Sequence, residues 1–236
     1  MYQNYIFDLY GTLVDIRTNE DKMELWTAMS DIYSSYGAFY TASGLKEAYQ
    51  WICKQYEMEL PENGEIDVRK VFAFLFARKG VSVSTALIKY VASTFRTLSR
   101  SKLEVYPGVK EALQELKKKG KGIYLLSNAQ SDFTRPEIEA LGLKPYFDGI
   151  FISSEAGYKK PSKEFFTKLL ETYKLDPETC LMVGNDESAD IAGAKIMGMD
   201  SLYMHTEISP AEDTESTATY VVMDGDWKKV ASILLK

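Results

Sequence analysis

The chain has 236 residues, of which 45% are hydrophobic and 26% are charged, and this balance is typical of folded globular proteins. A chain of this length can form one large domain, or one domain that carries a smaller insertion. Its formal net charge of −6 argues against a polyanionic partner, because proteins that bind nucleic acids usually present a basic surface. We therefore expect no nucleic-acid partner.

The cysteine and histidine content leaves little basis for several classes of site. The two cysteines, Cys53 and Cys180, lie far apart in the sequence, and neither belongs to a metal-type spacing. The single histidine, His205, is too little for a serine-protease-type triad or a histidine-rich zinc site. No signal peptide or apolar run of about 18 residues is evident, so we predict a cytoplasmic protein with reduced thiols and no membrane partner.

The N-terminal segment predicts a buried strand that ends on a carboxylate. Residues 5–7 form a short aromatic and β-branched run, which is typical of a strand, and Asp8 follows it directly. In open α/β sheets, ligands bind at the carboxyl ends of the strands. Gly11 lets the chain leave the strand in a conformation that residues with a Cβ atom avoid, and Thr12 places a hydroxyl beside the acid.

The segment after Val14 has the pattern of a helical bundle. Strand-type alternation disappears there, and apolar or aromatic residues recur at helical spacing over a long stretch. Gly37 and Gly80 are placed to end helices. The pattern predicts four helices, at residues 21–36, 43–58, 67–79 and 82–100.

From Pro107 onward the pattern changes to alternating helices and strands. Helices are predicted at residues 107–119, 132–141, 162–173, 187–197 and 227–235. Strands are predicted at residues 122–126, 149–153, 180–184, 201–204 and 219–222. Strands that alternate with helices imply a parallel sheet covered by helices on both faces. The helical segment is then an insertion after the first strand, positioned over the ligand-binding edge to act as a lid.

Polar residues follow the predicted strands at one edge of the sheet. They are Asp8, Ser127, Asn128, Asp186 and Asp190, and a loop supplies Lys160. Asp186 and Asp190 are four residues apart, so they share one face of the first turn of a helix. Together with Asp8 they form an oxygen-only site that suits Mg2+, which binds one or two carboxylates and keeps several waters. Lys160 and Ser127 are placed to balance the charge and hold the oxygens of a transferred group.

Four segments, taken in order, resemble the motifs of a known family. They are Phe-Asp-Leu-Tyr-Gly-Thr-Leu-Val-Asp at residues 7–15, Leu-Ser-Asn at 126–128, Lys-Lys-Pro-Ser at 159–162, and Val-Gly-Asn-Asp-Glu-Ser-Ala-Asp-Ile-Ala-Gly-Ala at 183–194. They are similar to the four motifs of the haloacid dehalogenase-like (HAD) hydrolases, and the similarity spans essentially the whole chain. The helical insertion resembles the cap of the subfamily that includes phosphoglycolate phosphatase and β-phosphoglucomutase.

This resemblance implies a fold and a division of the chain. The implied fold is α/β, with a Rossmann-like parallel sheet core and a helical-bundle cap inserted after the first strand. The implied core comprises residues 1–15 and 101–236, and the implied cap comprises residues 16–100. The family motifs are specific for the superfamily, whereas the choice of substrate depends on side chains of the cap.

The resemblance also implies roles for the residues at the predicted edge. Asp8 is the nucleophile, which forms a covalent aspartyl intermediate that water then resolves. Mg2+ would be held by Asp8, Asp186 and the main-chain carbonyl of Tyr10. Asp190 would bind the ion through water or orient the loop.

The remaining implied site residues surround the phosphoryl group. The substrate and phosphate site consists of Ser127, Asn128, Thr12 and Gly11. Ser127 would hold the phosphoryl oxygens, and Thr12 would brace the Asp8 loop by hydrogen bonding. Lys160 is the lysine immediately before the proline of the third motif, so it is the implied catalytic lysine rather than its neighbour Lys159.

Tyr10 departs from the phosphatase pattern. Family phosphatases usually carry a second aspartate two residues after the nucleophile, where it acts as general acid to the leaving alcohol. Positioned acid–base catalysis contributes about 10²- to 10⁴-fold, so an alkyl phosphate would suffer by about that factor unless Tyr10 or the cap supplies a proton. Tyr10 is therefore included among the predicted catalytic residues.

A tyrosine at this position resembles the 2-haloacid dehalogenases, whose halide leaving group needs no proton. Two features weigh against that interpretation. Asp186 and Asp190 are both present, although the dehalogenases work without a metal. The chain also has no arginine between Arg17 and Arg69, where the early cap would offer one to a substrate carboxylate.

The sequence and the resemblance together predict a magnesium-dependent hydrolase, a phosphatase of a small phosphorylated metabolite that acts through an aspartyl-phosphate on Asp8. One alternative is a metal-independent 2-haloacid dehalogenase. Another is a phosphoryl-accepting binding protein or slow pseudoenzyme. The predicted partner is a small phosphorylated molecule, and the predicted assembly is a monomer or a homodimer.

Overall fold

The computed structural model describes residues 2–236, so Met1, the first residue of the predicted core, lies outside the described residues. The strands are β1 (Asn4–Phe7), β2 (Val14–Thr18), β3 (Arg100–Val105), β4 (Gly122–Ser127), β5 (Gly149–Ile152), β6 (Cys180–Gly184), β7 (Asp200–Met204) and β8 (Tyr220–Val222). The helices are α1 (Met23–Ser35), α2 (Ala42–Glu59), α3 (Val68–Ala77), α4 (Thr85–Ser99), α5 (Val109–Lys118), α6 (Ser131–Ala140), α7 (Ser153–Ala156), α8 (Lys163–Tyr173), α9 (Ala192–Ile196) and α10 (Trp227–Leu234). In this described part of the chain, no helix is both long and apolar enough to cross a membrane.

Six strands form one sheet in the order β5-β4-β1-β6-β7-β8, and all neighbouring strands are parallel. β1 lies inside the sheet, where Phe7 is in register with Leu125 of β4 and Val183 of β6. The carboxyl ends of these strands therefore meet at one place on the edge of the sheet. This arrangement confirms the predicted α/β fold with a parallel sheet.

Side chains alternate between the two faces of the sheet along each strand, and helices cover both faces. Tyr5 and Phe7 belong to the hydrophobic cluster that includes α5 and α10, and Phe7 packs against Trp227 with ring centroids 6.4 Å apart. Ile6, between them, belongs to the cluster that includes Phe165 of α8. Packing on both faces fixes the position of β1 and therefore of Asp8, which directly follows the strand.

The four helices predicted after the first strand are present as α1–α4, and they form a hydrophobic core of their own. Trp26, Phe72 and Phe95 are buried in this core. Tyr33 stacks on Phe76 with 4.0 Å between the ring centroids. These buried aromatic residues form the interior of the four helices, which we call the helical unit, whereas Trp51 and Tyr90 of the same helices are exposed.

One expectation about the connection to this unit was wrong. The pattern predicted no strand between Val14 and the end of the fourth helix, but β2 and β3 pair as an antiparallel two-stranded ribbon. Asp15 is buried in the ribbon, where its carboxylate binds Arg17 at 2.5 Å and Lys102 at 2.6 Å. Such short strands beside helices give too little alternation to be recognised. The ribbon lies at both boundaries of the predicted cap, and that division into core and cap stays a prediction.

The loop between α2 and α3 attaches the helical unit to the strand ends. The side-chain carbonyl of Gln130 accepts the N–H of Val68 at 3.0 Å, and its amide donates to the carbonyl of Ile66 at 2.9 Å. Ser153 donates its hydroxyl to Glu65 at 2.7 Å. Because Gln130 follows β4 and Ser153 follows β5, these hydrogen bonds hold one side of the helical unit beside the carboxyl edge of the sheet.

Candidate active site

Asp8 directly follows β1 and is only 7% exposed. It lines a cleft of about 280 Å³ at the carboxyl edge of the sheet. The residues that line this cleft are Asp8, Tyr10, Asn128, Lys160, Asn185, Asp186, Ala189, Asp190, Ile208 and Pro210. Larger cavities of about 550 and 650 Å³ lie on the helical unit, and no acidic side chain lines them in the described part of the chain. A cavity of about 460 Å³ is lined by Glu178 and Asp200, but by none of the predicted site residues. The cleft at Asp8 is therefore the place where the predicted site residues meet.

Lys160 lies between two carboxylates. Its Nζ is 2.5 Å from Oδ1 of Asp8 and 2.7 Å from Oδ1 of Asp190, and the residue is 3% exposed. Burial alone would lower the pKa of Lys160, but the charges of Asp190 and Asp8 outweigh it and raise that pKa above its usual value. Asn128 fixes the lysine backbone, since its side chain accepts the N–H of Lys160 at 2.7 Å and donates to the carbonyl of Lys160 at 3.1 Å. The ammonium therefore stays charged beside Asp8.

The loop after β6 gives two carboxylates different surroundings. Asp190 accepts the N–H groups of Asn185 and Asp186 through Oδ2, at 3.1 and 3.2 Å. Gly184 makes room for this carboxylate, because a Cβ atom on residue 184 would lie 2.2 Å from Cγ of Asp190. Burial raises the pKa of Asp190, although the Lys160 ammonium opposes the rise. Asp186 is partly exposed and uses Oδ1 to cap the π-helical turn that precedes α9.

The loop after Asp8 is held by contacts on its main chain and side chains. Gly11 has a φ of 85°, and a Cβ atom there would lie 2.3 Å from Nδ2 of Asn185, so the position requires glycine. The hydroxyl oxygen of Thr12 lies 3.3 Å from Oδ2 of Asp8 and 3.1 Å from Oδ1 of Asn185. The indole N–H of Trp227 donates to the carbonyl of Thr12 at 3.0 Å. These contacts fix the loop that carries the Asp8 carboxylate.

Ser127 ends β4 with a buried hydroxyl that has no hydrogen-bond partner within the described residues. The residue is 1% exposed, and a buried hydroxyl without a partner costs free energy. Such an orphaned oxygen at the predicted phosphate site favours a ligand there. Asn128 differs, because both ends of its side-chain amide are bound to the main chain of Lys160, and its contact with phosphate stays a prediction.

The hydroxyl of Tyr10 belongs to a cluster that the sequence did not reveal. It donates to Oε2 of Glu137 at 2.5 Å, and Glu137 is 3% exposed. Arg96 of α4 donates to both carboxylate oxygens, at 2.8 and 3.2 Å, and Arg100 donates to Oε1 at 2.6 Å. We call Tyr10, Glu137, Arg96 and Arg100 the Glu137 cluster. It joins the helical unit to α6 and to the loop that carries Asp8.

Burial and contacts within the Glu137 cluster shift the pKa values of Tyr10 and Glu137. Burial raises the pKa of Tyr10 above its ordinary value, and the charge of Glu137 adds to the rise. Burial would also raise the pKa of Glu137, but the hydrogen bonds and charge of its partners, Arg96 foremost, lower it below its ordinary value. The cluster therefore combines a neutral phenol, a carboxylate and two guanidinium groups.

Asn185 is another residue of the site that the sequence did not predict. Its side-chain carbonyl lies beside the hydroxyl of Thr12, and its amide donates to Ser209 at 3.3 Å. The signal that could have identified it is its place in the fourth motif, between Gly184 and Asp186. Asn185 thus links the loop after β6 to the loop after β1.

The cleft offers oxygen donors of the kind that Mg2+ prefers. Within residues 2–236, no group of three or more His, Cys, Asp or Glu side chains is arranged as a metal site. Mg2+ needs only one or two protein carboxylates, however, because it usually keeps several waters. Asp8, Asp186 and Tyr10 line the same cleft, whereas both oxygens of Asp190 are engaged with Lys160 and with N–H groups. The carboxylates of Asp8 and Asp186 are therefore donors of the kind that a hydrated Mg2+ ion takes, and the metal roles of the Tyr10 carbonyl and of Asp190 stay predictions.

Residues 2–198 match the family model of the haloacid dehalogenase-like hydrolases. The ribulose-1,5-bisphosphate 5-phosphatase of Halopiger xanaduensis is 32% identical over 115 residues, which are 49% of this chain and 46% of that protein. The phosphoserine phosphatase of Thermus thermophilus is 30% identical over 131 residues, which are 56% of this chain and 51% of that protein. The chain thus spans about half the length of the curated relatives it matches.

A solved structure of a 2-haloacid dehalogenase from Pseudomonas syringae pv. Tomato is similar to the whole chain. The two share a TM-score of 0.68 at 20% identity, over 99% of this chain and 98% of the other. A likeness at this identity shows a shared fold. The match to the family model covers most of the chain and confirms the predicted family, so the chain belongs to the haloacid dehalogenase-like hydrolases.

Proposed function

We propose that the chain is a magnesium-dependent phosphatase of a small phosphorylated metabolite, acting through an aspartyl-phosphate on Asp8. The observation that carries the proposal is the buried contact between the Asp8 carboxylate and the Lys160 ammonium, 2.5 Å apart in the cleft. A fixed cation beside the nucleophile stabilises the charge that develops during transfer of a phosphoryl group. Two relatives named above are phosphatases, which supports the same class of reaction.

The proposed reaction has two steps at Asp8. In the first, a carboxylate oxygen of Asp8 forms a bond to phosphorus while the bond from phosphorus to the leaving oxygen breaks, and the leaving group keeps the electron pair. In the second, water attacks phosphorus, so that phosphate departs and the Asp8 carboxylate is restored. Lys160 keeps its charge beside Asp8 throughout. Ser127 would donate its hydroxyl to a phosphoryl oxygen, which would give this buried oxygen a partner.

Asp8, Asp186 and the main-chain carbonyl of Tyr10 would hold Mg2+ in this proposal. Asp190 would keep its loop in place by accepting the N–H groups of Asn185 and Asp186. When bound, the ion would neutralise charge on the phosphoryl oxygens. The cytoplasmic location, the small phosphorylated partner and the monomeric or homodimeric state stay predictions.

An aryl phosphate assay with and without EDTA tests the proposal. We expect hydrolysis that chelation abolishes and added Mg2+ restores, and that the Asp8→Asn variant lacks. Turnover unaffected by chelation would remove the metal from the mechanism. Once activity is established, a panel of metabolite phosphates, again with Asp8→Asn as control, identifies the substrate.

Dehalogenation is the second candidate, favoured by the tyrosine at position 10. Arg96, which lies over the ring of this tyrosine, and Arg100 are both bound to Glu137, and no arginine lines the cleft within residues 2–236. A substrate carboxylate therefore has no free guanidinium in the cleft. Halide release from short 2-haloacids in EDTA would establish this activity, and its absence across the series would discard it.

The third possibility, a phosphoryl-accepting binding protein, has its own signature. Neither class of substrate would then turn over, but beryllofluoride with Mg2+ would raise the thermal stability, because it occupies the place of a phosphoryl group on Asp8. No stabilisation of the wild type, or an equal effect on Asp8→Asn, would discard this candidate.

A further inference from the structure

Tyr10 occupies the position where a general acid would be needed, but its hydroxyl is already hydrogen-bonded to other side chains. A phenol carries one proton. Its oxygen lies 2.5 Å from Oε2 of Glu137 and 3.1 Å from the hydroxyl of Thr134. Such a short contact with a carboxylate places the proton between Tyr10 and Glu137. Because Glu137 is not one of the described residues that line the cleft, this proton is not directed at a substrate in the cleft.

Glu137 is held in place, so that Tyr10 is not released by a simple rotation of the carboxylate. Oε1 accepts hydrogen bonds from Arg96 and Arg100, and Oε2 accepts one from Arg96 in addition to the one from Tyr10. These contacts use the acceptor capacity of a carboxylate. The guanidinium of Arg96 also lies over the Tyr10 ring, 5.2 Å from its centroid. Tyr10 therefore stays bound as long as α4 and α6 remain in contact.

Lys160 lies against the attacking carboxylate of Asp8, and Asp190 lies on the other side of Lys160. In phosphoryl transfer, the attacking and leaving oxygens are roughly in line on opposite sides of phosphorus. Lys160 bridges Asp8 and Asp190 at 2.5 and 2.7 Å, so its N–H groups are directed at the attacking side. Asp186 accepts hydrogen bonds from Ser188 and Ala189 through Oδ1, and the amide of Asn128 is bound to the main chain. Both oxygens of Asp190 are likewise engaged with Lys160 and with main-chain N–H groups, so none of these side chains in the described part of the cleft is directed at a leaving group.

We propose that this enzyme acts on phosphoryl donors whose leaving group departs as a stable anion, namely acyl, enol and aryl phosphates, in preference to alkyl phosphate monoesters. The inference rests on the proposed phosphatase activity at Asp8. As the bond from Asp8 to phosphorus forms, the bond to the leaving oxygen breaks and the electron pair stays on a carboxylate, enolate or phenolate. No proton is needed in that step. In the second step, water attacks phosphorus and gives up its proton to solvent.

The dependence of rate on leaving-group basicity tests this inference. The wild-type enzyme with Mg2+ is assayed for kcat/KM, which reports the phosphorylation step, on aryl phosphates of increasing leaving-group basicity, on acetyl phosphate and on glycerol phosphate. We expect kcat/KM to fall steeply with basicity, and the alkyl phosphate to lie about 10²- to 10⁴-fold below the aryl phosphates. A flat dependence that includes the alkyl phosphate overturns the inference but leaves the phosphatase proposal intact. If neither acetyl phosphate nor any aryl phosphate is hydrolysed, the phosphatase proposal itself fails, and the inference with it.

Two variants of Tyr10 show whether this side chain supplies a proton. Tyr10→Asp introduces the missing acid and should raise kcat/KM for glycerol phosphate, relative to aryl phosphates, by about 10²-fold. Tyr10→Phe removes the hydroxyl and should keep the same steep dependence on basicity as the wild type. If Tyr10→Phe selectively loses alkyl phosphate hydrolysis, the hydroxyl is a proton donor and the inference is overturned.

Glu20 provides the control from the helical unit. This carboxyl group precedes α1, and its charge interacts with that of Arg96, but it is not one of the described residues that line the cleft. Glu20→Gln should therefore leave the ratio of alkyl to aryl hydrolysis unchanged. If the wild type hydrolyses glycerol phosphate well and Glu20→Gln selectively removes that activity, Glu20 is the donor and the inference is overturned.

Discussion

Two buried clusters of charge meet the loop after β1, one around Lys160 and the other around Glu137. In the first, one ammonium binds the two carboxylates of Asp8 and Asp190 at 2.5 and 2.7 Å. In the second, one carboxylate binds the two guanidinium groups of Arg96 and Arg100 at 2.8 and 2.6 Å. The first cluster therefore carries an excess of negative charge and the second an excess of positive charge.

The two clusters also differ in what they leave unpaired. The Lys160 site lines a cleft, and the orphaned hydroxyl of Ser127 ends the neighbouring strand β4, so this site keeps polar groups available for the cation and phosphoryl group of the proposed function. The Glu137 cluster has its carboxylate oxygens fully engaged by the surrounding donors. In the proposed function the first cluster therefore performs the chemistry, whereas the contacts of the second hold the helical unit and the side chain of Tyr10 in place.

The largest expected effect separates Lys160 from its neighbour Lys159. Lys160→Met leaves two buried carboxylates without their cation, and we expect kcat/KM on an aryl phosphate to fall by about 10²- to 10³-fold. Lys159→Met, the matched control, removes a partly exposed charge and should have little effect. Equal losses in the two variants, with both proteins folded by circular dichroism, would show that the buried lysine has no special role.

Removing the carboxylate of the Glu137 cluster should affect stability most. Glu137→Ala leaves two arginines without their partner, and loss of one member of a buried ion pair costs about 3–5 kcal/mol of the free energy of unfolding. Glu139→Ala is the control on the same helix, because Glu139 is exposed and pairs only with exposed Lys144. Such exposed pairs contribute little to stability, because solvent screens their charges. Urea titrations that give similar losses for both variants would contradict a structural role for Glu137.

A pair of glycines tests how tightly the nucleophile loop is packed. Gly11 and Gly80 both have positive φ values, 85° and 73°, but only at Gly11 would a Cβ atom meet another side chain, 2.3 Å from Nδ2 of Asn185. Gly80→Ala should therefore cost only the conformational strain, about 1–2 kcal/mol. Gly11→Ala should cost more and also reduce kcat/KM, since Asn185 must move. Equal losses of stability in the two variants, with activity retained, would show that Gly11 is not packed tightly against Asn185.

The smallest expected effect is the pH dependence of the Glu137 cluster. The pKa of Glu137 is lower in the folded chain than its ordinary value of 4.5, so its contribution to stability is fully present above that ordinary value. It is lost as the pH falls through the lowered pKa of the folded state. The difference in the free energy of unfolding between wild type and Glu137→Gln should therefore shrink from neutral pH to about pH 3. A difference that stays constant over this range would contradict the assignment.

The two clusters differ in how far the sequence predicts them. Asp8 directly follows β1, Ser127 ends β4 and Asp186 lies in the loop after β6, and the parallel sheet brings such positions together. Lys160 precedes a proline within a short motif, so its place in the chain is also recognisable. These positions follow from local pattern and topology.

Glu137 and Arg96 gave no comparable signal. Both lie on amphipathic helices, α6 and α4, where charged residues are usually exposed to solvent. Helical periodicity gives the apolar face of each helix, but it does not say which polar residues face another helix. The contact between α4 and α6 depends on how the helical unit packs against the sheet, which the pattern of a single chain does not specify. The short ribbon of β2 and β3 escaped prediction for a similar reason, since its alternation is brief.

The claim that Asp8 carries the phosphoryl group is tested most directly by trapping the intermediate. The enzyme is mixed with acetyl phosphate or an aryl phosphate and Mg2+, quenched with acid during turnover, digested and analysed by mass spectrometry. We predict that the peptide containing Asp8 gains the mass of one phosphoryl group at that residue, and that Asp8→Asn shows no such gain. Phosphate release by the wild type without phosphorylation of Asp8, or with phosphorylation at another residue, would contradict the account.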